Sequence, residues 1–333
     1  MAQVANTFSS YDSARNREEF ADAIYNIDPE ETPLMTLIGK EKVVSTHPEW
    51  STDTLATPVT NNAHLEGDDF TYDEVTPTAR LGNYTTIARK SYLISRTQEK
   101  TSKAGPRSEL GRERRKKGVE LRKDMEASIL ANQASVAGND SSARRIGGLA
   151  AWLTTNTNRG SGGADGGFNT GTGLVAAATD GTKRPFTKAI MDDIILQAYT
   201  SGANPKTLML SPYAKTVFST FMSDSNVAAF RTHVTSEQGT LVGAADAYVS
   251  DFGKIDVVPN RVMQQVGATV ARNAFLVDPE FASVGMFDDI QEVRPAKTGD
   301  AEKRVLITEY TLLVKNEKAL AVAADLNGMN ASS

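Results

Sequence analysis

The sequence has no cysteine in its 333 residues, which excludes disulfides, thiolate nucleophiles and Cys-based zinc or iron–sulfur sites. Its only histidines are His47, His64 and His233, too few for a His-rich metal site, and none lies in the Gly-x-Ser-x-Gly setting of a hydrolase nucleophile. Aromatic residues are scarce, at 7%. No run approaches the roughly 18 apolar residues needed to span a bilayer, and the first residues lack the basic and apolar regions of a signal peptide. A basic excess is missing too. The chain carries 36 Lys and Arg against 41 Asp and Glu, a net charge of −5, which argues against a dedicated nucleic-acid binder. These absences point to a soluble protein kept in a reducing cytoplasm, or in something assembled there, with no membrane partner.

What is present is length and polarity. A chain of 333 residues suggests two domains or one elaborated domain. Hydrophobic residues make up 40%, enough for a core, but a mean hydropathy of −0.34 leaves much of the chain for arms and loops. Residues 1–16 are polar and read as a loose arm. Phe20, Ile24 and Ile27 recur at helical spacing until Asp28-Pro29 stops them. Thr32 and Pro33 then read as an N-cap and a first-position proline, with Gly39 closing a short helix. Two short helices broken by proline hold too little apolar mass for a core, so they should pack on something else.

Residues 46–95 favour Thr, Val, Tyr and Asn, with turn signals at Pro58, Asn61-Asn62, Gly67-Asp68 and Pro77 and a strand-like run at 84–94. The pattern predicts a long β-hairpin with irregular stretches. Residues 106–134, opened by Pro106, form the strongest helix, with Leu121, Met125 and Ile129 on one face and a length of ~43 Å. Residues 160–181 contain eight glycines and read as a flexible surface loop. The order Gly181-Thr182-Lys183 does not supply the Gly-Lys-Ser/Thr end of a phosphate-binding loop. Thr187 and Ser211 read as helix caps, and 207–210 as a buried strand. Strands are expected at 247–251, 254–258, 270–277, 281–286, 290–296, 303–315 and 318–326. The order is α+β, without the alternation of a doubly wound sheet.

Charge is segregated. From Glu49 to Ala79 there are seven acids and no Lys or Arg. From Lys100 to Lys123 there are ten bases against three acids. Like copies could therefore pair head to tail. Glu66, Asp68, Asp69, Asp73 and Glu74 on one side, and Arg112, Arg114, Arg115, Lys116 and Lys117 on the other, are the candidate intersubunit contacts. The acids lack the spacing of a calcium loop. The bases have no interleaved aromatic for stacking on bases, and Glu109, Glu113 and Glu120 lie at helical pairing distance from them. No catalytic constellation and no cofactor motif emerges. The residues by themselves describe a structural or self-assembling protein with projecting arms.

Several segments, in order along the chain, resemble the major capsid proteins of tailed bacteriophages, and within them a family like that of SU-type phage capsid subunits. They are Arg17–Pro29 with Glu31-Thr32-Pro33, Glu49–Asp53, Glu66-Gly67, Arg80–Tyr84, Gly147-Gly148-Leu149, Asp251-Phe252-Gly253 with Val258–Arg261, and Lys297–Asp300 leading to Glu309–Leu312 and Asn316-Glu317. The resemblance implies the Hong Kong 97-type capsid fold. Residues 1–45 would be an N-terminal arm and 46–95 an extended loop. A peripheral domain, 96–185, would carry the spine helix 106–134, an axial domain would span 186–272, and 273–333 would return to the peripheral domain. It further implies a homo-oligomer whose hexamers and pentamers close into an icosahedral shell. Portal, scaffold or decoration proteins would be further partners, and packaged double-stranded DNA would be held by weak non-specific contact. The virion, assembled in the host cytoplasm, is the implied location. With about 16 residues before the first matching segment, any scaffold is expected to be a separate protein or absent. Some relatives cross-link their shells through a lysine; residues 49–79 contain none, so this loop is not expected to do so. A cargo-enclosing nanocompartment shell on the same fold is the alternative.

Overall fold

The computed structural model describes residues 31–67, 69–70, 72, 74–101, 108–221, 246–297 and 299–329. The helix expected from Phe20 to Ile27 lies outside them. In chain order the elements are α1 (Pro33–Ile38), β1 (Lys40–Lys42), β2 (Glu49–Thr52), β3 (Ala79–Gly82), β4 (Thr86–Ser95), α2 (Arg96–Lys100), α3 (Glu109–Leu130) and α4 (Leu149–Trp152). Next come β5 (Thr157–Asn158), β6 (Gly167–Asn169), β7 (Leu174–Ala176), α5 (Lys188–Thr200), β8 (Thr207–Leu210), α6 (Pro212–Thr220), β9 (Ala247–Ser250) and β10 (Gly253–Pro259). The chain ends with α7 (Arg261–Val266), α8 (Ala268–Ala271), β11 (Ala274–Val277), β12 (Ala282–Val293), β13 (Ala301–Val314), a 3-10 turn at Glu317–Ala319 and β14 (Ala321–Ala323).

Two larger sheets organise these pieces. One runs β1-β12-β13-β4 and the other β5-β14-β11-β8-β10-β9. The second is buried on both faces, which explains why its central strands are apolar without alternation. Leu208 and Leu210 point into one core with Ile194, Phe218 and Val257. Met209, Phe275 and Val322, between them in the pleat, point into a second core with Leu34, Met125, Ile129, Trp152 and Tyr310. This sheet draws β5, β11 and β14 from outside 186–272, so the ends of that stretch do not bound it.

The other sheet is layered unevenly. α3 lies across β4 and β13, α1 against β12, and α4 against β13. Tyr310, Leu312, Leu313 and Val314 at one end of β13 are all buried, whereas Ile87 and Leu93 on β4 and Val293 on β12 are about half exposed. Residues 84–94 do contain the expected strand, but its partner is β13, in register Tyr92↔Arg304 and Ala88↔Thr308. The hairpin proper is short, with four residues per side in β2 and β3.

Other differences have local causes. The long helix starts later than Pro106, because the Ser108 hydroxyl accepts from the Gly111 N–H and caps it. At 22 residues it spans ~33 Å. Thr32 does not cap α1 through its side chain; a carboxylate from α3 takes that place. The strands expected at 281–286 and 290–296 are one strand whose register against β13 shifts twice, near Asp288. The expected strand 270–277 begins as the helical turn α8, and 318–326 as a 3-10 turn capped by the Asn316 side chain. α7, unforeseen, is capped by Asn260.

The glycine-rich stretch is the largest departure. It is not a loose loop but a packed seam. β6 and β7 form a hairpin, and the Asp325 carboxylate accepts from the Gly160 and Gly181 N–H groups, each at 2.9 Å. A Cβ on Gly160 would lie 2.0 Å from the Thr182 carbonyl oxygen, and one on Gly166 2.2 Å from that of Ala176. At these positions glycine is there for close backbone approach; at Gly162 and Gly173, with φ of +80° and +68° and open space around them, it is there for the turn.

Candidate subunit-contact surface

The short hairpin is anchored by aromatic packing at its root. Trp50 on β2 lies 5.7 Å from Trp152 of α4, which stacks on Phe168 at 5.7 Å and 4°. His47 stacks on Tyr84 at 4.2 Å, with its Nδ1 3.5 Å from Glu49, which Arg80 also holds at 2.9 Å. Gly82 leaves room for that imidazole, since a Cβ there would sit 2.9 Å from the ring.

Past this root the chain leaves the body. From Asp53 to Thr78 every described residue is exposed, and none belongs to a helix or strand. Six large apolar side chains face solvent: Leu55 (99% exposed), Val59, Leu65, Phe70, Tyr72 (92%) and Val75. Burying a side chain of this kind is worth about 1.5–3 kcal/mol. So many exposed in one segment is unusual for a surface left to solvent.

The predicted charged residues divide sharply. Glu66, Asp69 and Glu74 are exposed on this segment; Asp68 and Asp73 lie outside the described residues. Among the bases, Arg112 is held on its own helix by Glu109 at 2.7 Å and Glu113 at 2.8 Å, and the Glu109 hydrogen bond, with the charges of both acids, raises its pKa. Lys117 pairs with Glu120 at 2.8 Å. Arg114 lies 3.9 Å from Glu292, whose carboxylate accepts the Tyr92 hydroxyl at 2.8 Å. Burial and then that carboxylate push the Tyr92 hydroxyl up to about 12. Arg115 and Lys116 are exposed and make no ion pair among the described residues, and neither does exposed Arg122, two turns further on. Among the described residues of α3, the exposed bases without an ion pair are therefore Arg115, Lys116 and Arg122, rather than the whole run. No ion pair joins Glu66 or Glu74 to these bases within the chain.

The apolar residues between Asp53 and Thr78 are the part that the charge pattern hides. Their signal was available: large apolar side chains scattered through an acidic, turn-rich stretch, with no sustained strand or helix period, cannot form an internal face.

A family model described as SU10 major capsid protein matches residues 3–327. The chain is 32% identical over 239 residues to the curated major capsid protein of Escherichia phage Phieco32, covering 63% of this chain and 68% of that one. Among solved structures it resembles the Cyanophage A-1(L) capsid with a TM-score of 0.58 at 14% identity, covering 96% of this chain and 98% of that one. A chain from Mycobacterium phage Bobi gives a TM-score of 0.60 at 14% identity, over 96% and 99% of the two chains. The SrpI encapsulin of Synechococcus elongatus PCC 7942 gives 0.54 at 9% identity, over 96% and 94%.

Proposed function

The chain belongs to the SU10 major capsid protein family, a phage shell subunit of the Hong Kong 97-type fold rather than an enzyme, and we propose that its copies form the hexamers and pentamers of an icosahedral shell around double-stranded DNA. The observation that carries this reading is the segment from Asp53 to Thr78, in which every described residue is exposed and six large apolar side chains find no cover among the described residues. In this reading residues 1–45 act as an arm, 46–95 as the extended loop, and 96–185 with 273–333 as the peripheral region around α3. Residues 186–272 form the axial region. The loop lies on a neighbouring copy, its apolar side chains covered and its acids Glu66, Asp68, Asp69, Asp73 and Glu74 turned toward the basic start of that copy's α3. There Arg115 and Lys116 are free to receive them. Each exposed ion pair contributes only ~0–1 kcal/mol, so apolar cover supplies most of the contact and charge supplies orientation. The shell is part of the virion, assembled in the host cytoplasm, and portal, scaffold or decoration proteins complete it. DNA contact is weak and non-specific, in keeping with the net charge of −5.

Expression of the full chain followed by sedimentation and negative-stain microscopy tests this directly. Closed shells or capsomers are expected, and monomer under every assembly condition would sink the reading. The likeness to an encapsulin favours a second reading, a shell around protein cargo. Nuclease-protected DNA in virion-derived particles, without a stoichiometric cargo protein, separates the two.

A further inference from the structure

Glu126 stands on α3 with none of its surface exposed, yet it is an acid. Its carboxylate accepts three hydrogen bonds from two distant parts of the chain. Oε1 takes the Leu34 N–H at 3.3 Å and the Asn260 side-chain amide at 2.6 Å, and Oε2 takes the Met35 N–H at 3.2 Å. Leu34 and Met35 are in the first turn of α1, where backbone N–H groups have no helical partner. Thr32 leaves them uncapped, so Glu126, from 92 residues away, is the cap of α1.

Asn260 is held just as tightly. Its Oδ1 accepts from the Val262 N–H at 2.8 Å and so caps α7. Its Nδ2 donates to Glu126 and also lies 3.2 Å from the Met209 sulfur. Its backbone N–H donates to the Leu210 carbonyl at 2.8 Å, tying it to β8. The amide has one workable orientation. Turning it would face Oδ1 toward the carboxylate and strip the cap from α7.

We propose that Glu126 is a clasp that couples the seating of residues 31–42 to the corner between β10 and α7, so that neither shifts without the other. The strap it fastens runs through α1 into β1, which adds in parallel to β12. Lifting the strap takes two of the three donors from a buried carboxylate, and an unsatisfied buried charge is costly. The remaining donor, Asn260, is then drawn with it. A displacement of the chain at residue 31 is in this way felt at the ends of β8 and β10 in the six-stranded sheet, through one side chain.

The test swaps the hydrogen-bond polarity of the pair and reads hydrogen exchange in two peptides of the full-length protein, 31–42 and 260–271. In Glu126→Gln an amide N–H meets another N–H whichever way the group turns. In Asn260→Asp two carboxylates face each other at the position of the 2.6 Å contact. Each variant is expected to raise exchange in both peptides by roughly tenfold or more. The double variant Glu126→Gln, Asn260→Asp puts a donor opposite an acceptor again at the 2.6 Å contact, keeps an acceptor for the Met35 N–H, and leaves only the longer Leu34 contact unmade; aspartate still caps α7. It should bring exchange back toward wild type in 260–271, and in 31–42 to a level below that of either single variant. A double variant that folds where a single one does not supports the clasp equally. Exchange rising in only one peptide, or a double variant no better than the worse single one or itself unfolded, overturns it.

Discussion

Trp50 and Trp152 meet at 5.7 Å, and this contact fixes the point at which the exposed segment leaves the body. Neither indole N–H has a hydrogen-bond partner, so the contact is one of shape and area. Trp50→Ala should therefore cost about 1–3 kcal/mol, at the lower end for a large-to-small change because Trp50 is only half-buried. Trp50→Phe should cost less than about 1 kcal/mol. Urea unfolding of the unassembled protein measures both; equal losses for the two substitutions would place the hydrogen-bonding edge of the ring, not its area, at the root.

The exposed segment separates stability from assembly. Phe70 and Tyr72 are 84% and 92% exposed, so changing both to serine should move the unfolding free energy by less than about 0.5 kcal/mol. Shell yield should fall steeply. Charge reversal of Glu66 and Glu74 to lysine should weaken assembly more gently, and Arg115→Glu with Lys116→Glu in the same chain should partly restore it. Light scattering against salt checks the split, since ionic contacts fade as the Debye length drops to ~3 Å at 1 M.

Two glycines should respond in opposite directions. Gly118 sits within α3 with nothing near its missing Cβ, so Gly118→Ala should stabilise by up to about 1 kcal/mol. Gly148 lies where a Cβ would be 1.9 Å from the Ala131 carbonyl oxygen, and Gly148→Ala should destabilise by about 1–3 kcal/mol or more. Thermal unfolding of the two variants side by side is sufficient.

Two carboxylates on either end of the strap predict opposite pH slopes. Burial raises Glu126 above its ordinary value of 4.5, against the pull of the Met35 N–H, the Asn260 amide and the Leu34 N–H. The folded chain holds that proton more tightly than the unfolded one. Its contribution to stability is full below the unfolded value and is lost as pH rises through the folded one. Glu41 is lowered by the Ser283 hydroxyl and by Lys315, so its contribution is present above the unfolded value and is lost on acidification. The lead of wild type over Glu126→Gln should thus be greatest in acid, and its lead over Glu41→Gln greatest near neutrality. Urea midpoints for the three proteins between about pH 4 and 7 decide it.

Much of the fold could be read from local pattern. Thr187 and Ser211 cap their helices as expected, and the unbroken apolar run Thr207–Leu210 is a strand buried on both faces. What local pattern could not carry was partnership over distance. Nothing near residue 90 tells that β4 pairs with residues past 300, and nothing near Thr32 tells that its helix is capped from Glu126. Charge counting identified the basic run but not which bases are already taken, because Arg112 and Lys117 are satisfied by acids one turn away.

The glycine seam inverts the usual choice of a site for grafting a foreign peptide. From composition alone, any position between Gly160 and Gly181 looks like a tolerant place to insert an epitope or a fluorophore. At Gly160, Gly166 and Gly181 the added atoms would have to displace backbone. Open space is found at Gly162 and at Gly173, by the tip of the β6–β7 hairpin, where nothing lies within 4 Å of a side chain that is not there. A single residue separates Gly162 from Gly160, yet an insertion at the first meets solvent and one at the second pries the segment away from Thr182.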